Sequence, residues 1–239
     1  MNIAIIFAAG KGERLNFEHD ELPKQFIEIE GKPLLIHTLE NFQKHEMIDK
    51  IYISTLIEQI GHVKNLVKKW NIDKVSDVIE GGSCAMESIY KTLKRAKKDC
   101  DGDSVVLIHD GVRPIITPDV INNNIKSVIN DGNAITIIPC NETIVVSYDK
   151  KKANCVPIRK ETFKAQAPQS FRLDEIIKAH ESVKSYNNIV DNCTLFVKLG
   201  KEVNLVEGNF GNIKITTPED VYILEGILKY FKLKKENNA

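Results

Sequence analysis

Asn2-Ile3-Ala4-Ile5-Ile6-Phe7 runs without a polar break into Ala8-Ala9-Gly10-Lys11-Gly12-Glu13-Arg14. A short continuous apolar run that stops at a Gly-rich loop reads as a strand covered on both faces. No basic region precedes the run and it is short, so it reads as a strand and not as a secretory leader. Further along, β-branched runs alternate with helical patterns. Lys50–Ser54, Val75–Ile79, Ser104–Ile108 and Ala134–Ile138 read as strands. Pro33–Gln43 and Cys84–Leu93 read as helices, and in Ile57–Trp70 apolar residues recur every three or four positions. Thr117-Pro118 and Thr217-Pro218 carry helix-start chemistry, with Thr as N-cap and Pro in the first turn. Strands alternating with helices predict βαβ units. The expected fold is therefore α/β, a three-layer, mostly parallel Rossmann-like sheet.

Thr143–Tyr148 and Asn154–Pro157 flank the polar stretch Asp149–Lys152 and predict a projecting hairpin. With no linker and no repeat, residues 1–239 read as one domain with an arm at about 140–165 and a frayed polar tail, Leu233–Ala239. The 239 residues carry 33 Lys+Arg against 33 Asp+Glu, with 42% hydrophobic and 28% charged residues. That balance describes a globular chain and argues against nucleic acid or an anionic membrane as partner. No apolar run approaches the ~18–20 residues of a membrane span. Five scattered cysteines form no CxxC and no metal-spaced Cys/His pair, which suits reduced thiols in a cytoplasmic protein.

Ligands of open α/β sheets sit beyond the carboxyl ends of the strands, where the loop after Phe7 falls. It is neither a GxGxxG fingerprint, since Leu15 takes the third glycine position, nor a Walker A loop, since no GKS/T closes it. Lys11 and Arg14 on the loop and Lys24 in LPKQF would set cations beside a phosphate-cradling backbone; the alternative is a solvated turn. Asp110 in HDGVRP can hold a ribose hydroxyl or a metal, or simply close a turn by pairing with Arg113. Gly81-Gly82-Ser83, with Ser88 one helical turn on, makes another close-approach loop. Asn212-Ile213-Lys214 offers a further cation, and Asp191 is either an N-cap or a ligand.

FAAGKGERL, LPKQF, GKPLLIHTLENF, EGG, IHDGVRP, AQAPQSF and VEGNFGNIKITTPED follow one another in this order. As an ordered set they resemble the cytidylyltransferases that act on methylerythritol 4-phosphate or ribitol 5-phosphate, over about residues 2–229. The resemblance implies a Mg²⁺-dependent transfer of CMP from CTP to a polyol phosphate, in a homodimer clasped by the hairpin arm. Carried over by motif, Arg14, Lys24 and Lys214 would be catalytic, and Ala8, Ala9, Gly10, Gly12, Gly82, Ser88 and Asp110 would bind the nucleotide. Asp110 is also the candidate for the metal. Arg113, Arg159 and Asp191 would bind the acceptor, Arg159 across the dimer.

Four features depart from the pattern that the resemblance implies, the first being a longer stretch between Arg14 and Lys24. Ala85 replaces an Arg, Ala167 replaces a Thr, and Val190-Asp191-Asn192-Cys193 replaces Thr-Asp-Glu/Asp-Ala. The last two bear on the acceptor, and HDGVRP with Cys193 leans toward ribitol 5-phosphate over methylerythritol 4-phosphate. The other readings are a nucleotide-binding module without catalysis and a nucleotidyltransferase acting on sugar 1-phosphates.

Overall fold

The structure is a computed structural model that describes residues 1–10 and 23–236, with side chains described as far as Lys234. Its strands are β1 (Asn2–Phe7), β2 (Glu28–Ile29), β3 (Lys32–Pro33), β4 (Lys50–Thr55), β5 (Val75–Glu80), β6 (Val105–Asp110), β7 (Asn133–Pro139), β8 (Phe163–Arg172) and β9 (Leu205–Glu207). Its helices are α1 (Leu34–Lys44), α2 (Ile60–Lys69), α3 (Ala85–Ala96), α4 (Pro118–Asp131), α5 (Leu173–Glu181), α6 (Asn192–Lys198) and α7 (Pro218–Glu236).

Seven strands form one sheet in the order β5-β4-β1-β6-β8-β7-β9, and β2 pairs with β3 in a small ribbon apart from it. Within the large sheet β8 alone is antiparallel to its neighbours, β6 and β7. The alternation of β1 shows why its whole run is apolar. Ala4 and Ile6 enter one core with Leu39 and Phe42 of α1, Val63 of α2 and Ile125 of α4. Ile3 and Ile5 enter the other, with Ile89 of α3, Ile176 of α5 and Phe196 of α6. Both faces are covered, so the expected three layers are present. A third cluster packs Val221 and Leu224 of α7 against Ile29 and Leu34.

Four expectations need correction. The Ile57–Trp70 pattern divides into a 3-10 turn, Ile57–Gln59, and α2. Thr117 holds the N-cap position of α4 without a side-chain bond; its carbonyl instead accepts from the amides of Val120 and Ile121. The tail does not fray at Leu233, because α7 continues through Glu236. The arm is closed by one antiparallel bridge, Val146 to Cys155, in place of two full strands. A two-stranded ribbon without a third strand or a covering helix has little to stabilise it. Its turn is fixed instead by Asp149, whose Oδ1 accepts from the amides of Lys151 and Lys152.

Candidate active site

Four parallel strands end at the same level. Phe7 of β1 lies opposite Ser54 of β4 and Asp110 of β6, and Thr55 lies opposite Glu80 of β5. The chain leaving each strand is tied to its neighbour: Ala8 N–H donates to Ser54 O at 2.8 Å, Gly111 N–H to Phe7 O at 3.0 Å and Gly81 N–H to Thr55 O at 2.8 Å. Beyond these ends opens a cleft of ≈ 710 Å³, within the size range of small-molecule sites. Ala8, Ala9, Gly10, Lys24, Gly82, Ser88, Asp110 and Lys214 all line it. Gly12 and Arg14 lie outside the described residues.

Asp110 is the centre of charge. Arg113 Nε donates to its Oδ2 at 2.8 Å, and Lys214 Nζ lies 2.6 Å from its Oδ1. Burial alone would raise this carboxyl, but the two cations outweigh it and hold it at about 2. The turn-closing ion pair is therefore real, and it coexists with a place in the cleft. Arg113 itself is fixed from behind, since its Nη1 donates to Asn212 O at 2.7 Å. His109, on the other face of β6, is fully buried and edge-on to Phe42 at 5.2 Å. Burial pushes it down to about 4, so it is a neutral structural ring at physiological pH.

The turn after β5 needs glycine at 81. A Cβ there would sit 2.6 Å from Ala9 Cβ and 2.9 Å from Ser88 Oγ, so any side chain would drive the first loop and this turn apart. Ser88 Oγ accepts from Gly82 N–H at 2.8 Å and donates to Cys84 O at 2.9 Å. Its one remaining lone pair is what it has for a ligand. Glu87 braces the same turn by accepting from the amide and hydroxyl of Ser83.

Lys24 opens the 3-10 turn Lys24–Phe26, and its Cε lies 3.7 Å from where a Cβ on Gly10 would sit. Arg159 and Asp191 do not line the cleft. Arg159 stands on the exposed arm with Nη2 3.3 Å from Thr143 Oγ1. Asp191 is the N-cap of α6: its Oδ1 accepts from Thr194 N–H at 2.8 Å and its Oδ2 from Gln169 Nε2 at 2.8 Å.

Sequence reasoning missed a polar layer behind the cleft. Asn212 is fully buried, its side-chain Nδ2 donating to Ala167 O at 2.6 Å while its backbone carbonyl accepts from Arg113 and from Gln166 Nε2. Gln25, beside Lys24, is 1% exposed and itself lines the cleft. These residues stand within the quoted motifs, yet amide side chains carry no pattern that separates a buried brace from a surface group. Cys84 and Thr216 also line the cleft.

Among the described residues Asp110 is the single carboxylate lining the cleft, and no group of three or more His, Cys, Asp or Glu gathers for a metal. That donor set fits a Mg²⁺ held between one carboxylate and phosphate oxygens, not a metal in an all-protein cage.

With this geometry in place, the comparisons with known proteins carry weight. The family model for 2-C-methyl-D-erythritol 4-phosphate cytidylyltransferase (IspD) matches residues 2–230. The ribitol-5-phosphate cytidylyltransferase of Streptococcus agalactiae serotype III is 42% identical over 229 residues, 95% of each chain. The 2-C-methyl-D-erythritol 4-phosphate cytidylyltransferase of Clostridium botulinum strain Langeland is 41% identical over 229 residues, 95% of this chain and 97% of the relative. The crystal structure of 4-diphosphocytidyl-2C-methyl-D-erythritol synthase from Anaerococcus prevotii superposes with a TM-score of 0.80 at 26% identity, covering 95% of this chain and 96% of that one. The match spans every strand of the sheet and the whole cleft, and the chain belongs to the IspD family of CTP-dependent polyol-phosphate cytidylyltransferases.

Proposed function

We propose that the chain transfers CMP from CTP to ribitol 5-phosphate, giving CDP-ribitol and pyrophosphate as a precursor of a capsule or wall polymer. The observation that carries the reaction class is the placement of Lys24 and Lys214 on a cleft where Asp110 is the acidic residue among the described lining residues. The acceptor's phosphate oxygen forms a bond to the α-phosphorus while the bond from that phosphorus to the bridging oxygen breaks, and the electron pair leaves with pyrophosphate. An already ionised phosphate needs no strong general base, so positioning and electrostatic stabilisation supply the rate. Lys24, with Arg14, offsets charge growing on the α-phosphate and the leaving pyrophosphate. Ala8, Ala9, Gly10 and Gly12 let the backbone approach the nucleotide, and Gly82 with Ser88 faces the base.

Lys214 exchanges Asp110 for a phosphate when CTP enters, which frees one Asp110 oxygen for the ribose. Asp110 would also hold a Mg²⁺ brought by the triphosphate, which would neutralise phosphate charge. Arg113 orients Asp110, and Arg159 reaches the acceptor phosphate from the arm of a second subunit. Asp191 acts at the acceptor end through the start of α6. The exposed apolar residues of the arm, Val145, Tyr148, Val156 and Ile158, suit a homodimer contact. No helix of the described residues is long and apolar enough to cross a membrane, in keeping with a cytoplasmic enzyme.

Methylerythritol 4-phosphate is the second reading, supported by the name of the family model and by clostridial relatives at 41% identity, level with the streptococcal ones. The test is pyrophosphate release from CTP and Mg²⁺ with ribitol 5-phosphate, methylerythritol 4-phosphate, glycerol 3-phosphate and other pentitol and tetritol phosphates. Strong turnover with ribitol 5-phosphate is expected. Preference for methylerythritol 4-phosphate would transfer the chain to the second reading, and CTP binding without turnover on any acceptor would mark a module that has lost catalysis.

A further inference from the structure

Lys24 sits in a segment whose next two residues are sunk into the protein. Phe26 is buried against the His62 ring, edge-on at 4.7 Å, and Gln25 is 1% exposed. An amide buried that deeply needs its hydrogen bonds met, and where they go decides where Lys24 points. Gln25 Nε2 donates to Gln59 Oε1 at 3.0 Å. The same oxygen accepts from Thr55 Oγ1 at 3.2 Å. Thr55 is fully buried at the carboxyl end of β4, and its carbonyl accepts from Gly81 N–H. Gln59 is half-buried, ends the 3-10 turn Ile57–Gln59 and is not among the residues lining the cleft. Its oxygen is thus a junction between a rigid strand end and the residue next to Lys24.

We infer that Gln59 is a positioning residue for Lys24: Thr55 fixes the Gln59 oxygen, that oxygen fixes the Gln25 amide, and Gln25 fixes the backbone from which Lys24 enters the cleft. The inference rests on the proposed role of Lys24 in the transfer. Because Gln59 works here only as an acceptor, a carboxylate at this position can take both hydrogen bonds, whereas an isosteric apolar side chain can take neither. A displaced Lys24 still meets a flexible triphosphate in the ground state, but it misses the tighter geometry of the transition state. The loss therefore falls on kcat rather than on KM for CTP.

The experiment compares Gln59→Leu, Gln59→Ala, Gln59→Glu and Lys24→Ala in the pyrophosphate-release assay, with thermal melting of each. Expected are kcat losses of about tenfold to a hundredfold in Gln59→Leu and Gln59→Ala. KM for CTP should stay within about twofold of wild type, and Gln59→Glu should recover most of the kcat. Wild-type kcat in both Gln59→Leu and Gln59→Ala overturns the inference. So does an equal loss in all three Gln59 variants, which would indicate packing rather than an acceptor. If Lys24→Ala is fully active, the proposed role of Lys24 falls and takes this inference with it. If Lys24→Ala is inactive while Gln59→Leu and Gln59→Ala are not, only the positioning role of Gln59 falls.

Discussion

Replacing Asp110 by Asn keeps the shape of the side chain and removes its charge, which tests whether the cluster is a net stabiliser or a strained arrangement kept for function. A carboxyl held at about 2 against an ordinary 3.8 favours its ionised form in the folded protein by about 2.4 kcal/mol. Asn lacks that preference, and it leaves two cations behind. Arg113, 13% exposed, keeps the Asn212 carbonyl but loses its carboxylate, while Lys214, 39% exposed, regains water. The expected cost is therefore about 2–3 kcal/mol, below the ~3–5 kcal/mol of a fully buried broken pair. In a chain of this size that lowers Tm by about 5–10 °C.

A carboxylate with a lowered value contributes stability above about pH 3.8 and loses it as pH falls through about 2. The gap between wild type and Asp110→Asn should therefore be flat from pH 8 to pH 5 in urea unfolding. Lys214→Ala is the companion. It should cost under about 1 kcal/mol, because its ammonium is partly solvated, yet lose turnover like Asp110→Asn. Equally small destabilisation by the two variants would show that the buried carboxylate is not a net stabiliser, as would a gap that closes between pH 8 and pH 5 or an Asp110→Asn variant within about 0.5 kcal/mol of wild type.

Burial lowers both His109 and His180 to about 4, so the unfolded chain binds more protons than the folded one between about pH 4 and 6.5, and stability falls with acidity there. From pH 8 to pH 5 the pair should remove roughly 4 kcal/mol, and His180→Gln should abolish about half of that slope in urea titrations. Gly81→Ala must displace Ala9 or Ser88, and steady-state kinetics should show kcat/KM for CTP reduced about tenfold to a hundredfold while the fold persists. Arg159→Ala, exposed on the arm, should leave melting unchanged and raise KM for the polyol phosphate with little effect on KM for CTP. Light scattering on the same sample should give about twice 27.0 kDa, and a monomer would remove the basis for a shared site.

Much of the fold was legible because its central parallel strands, β1 and β6, are apolar runs buried on both faces. Ile3 and Ile5 serve one core and Ala4 and Ile6 the other, so β1 is a run with no alternation to misread. β8 was not legible. Its Gln166, Gln169 and Ser170 are buried, and a strand carrying buried amides and a proline does not resemble its neighbours. What makes it a strand is partnership. Ser170 Oγ donates to Asn124 Oδ1, Thr136 Oγ1 donates to Pro168 O, and Gln169 clamps the start of α6.

The cleft divides in the same way. The glycines, Lys24, Asp110 and Lys214 are visible in sequence because Gly-rich turns and isolated charges beside apolar runs stand out within a few residues. Their alignment, with Phe7, Ser54 and Asp110 abreast, is a property of register that no local pattern contains. Asp191 could be read from sequence as a cap or a ligand, and only the bonds to Thr194 and Gln169 show that it caps α6. Local sequence determined the strands β1, β4, β5, β6 and β7 and the charged residues that follow them, because those show in periodicity and charge within a few residues. The tertiary structure alone decided that the backbone carbonyl of Asn212, 99 residues from Arg113, holds the guanidinium that holds Asp110, and that the Asn212 side-chain amide is pinned on Ala167 O. A buried amide is placed by its hydrogen-bond partners, and those come from distant parts of the chain.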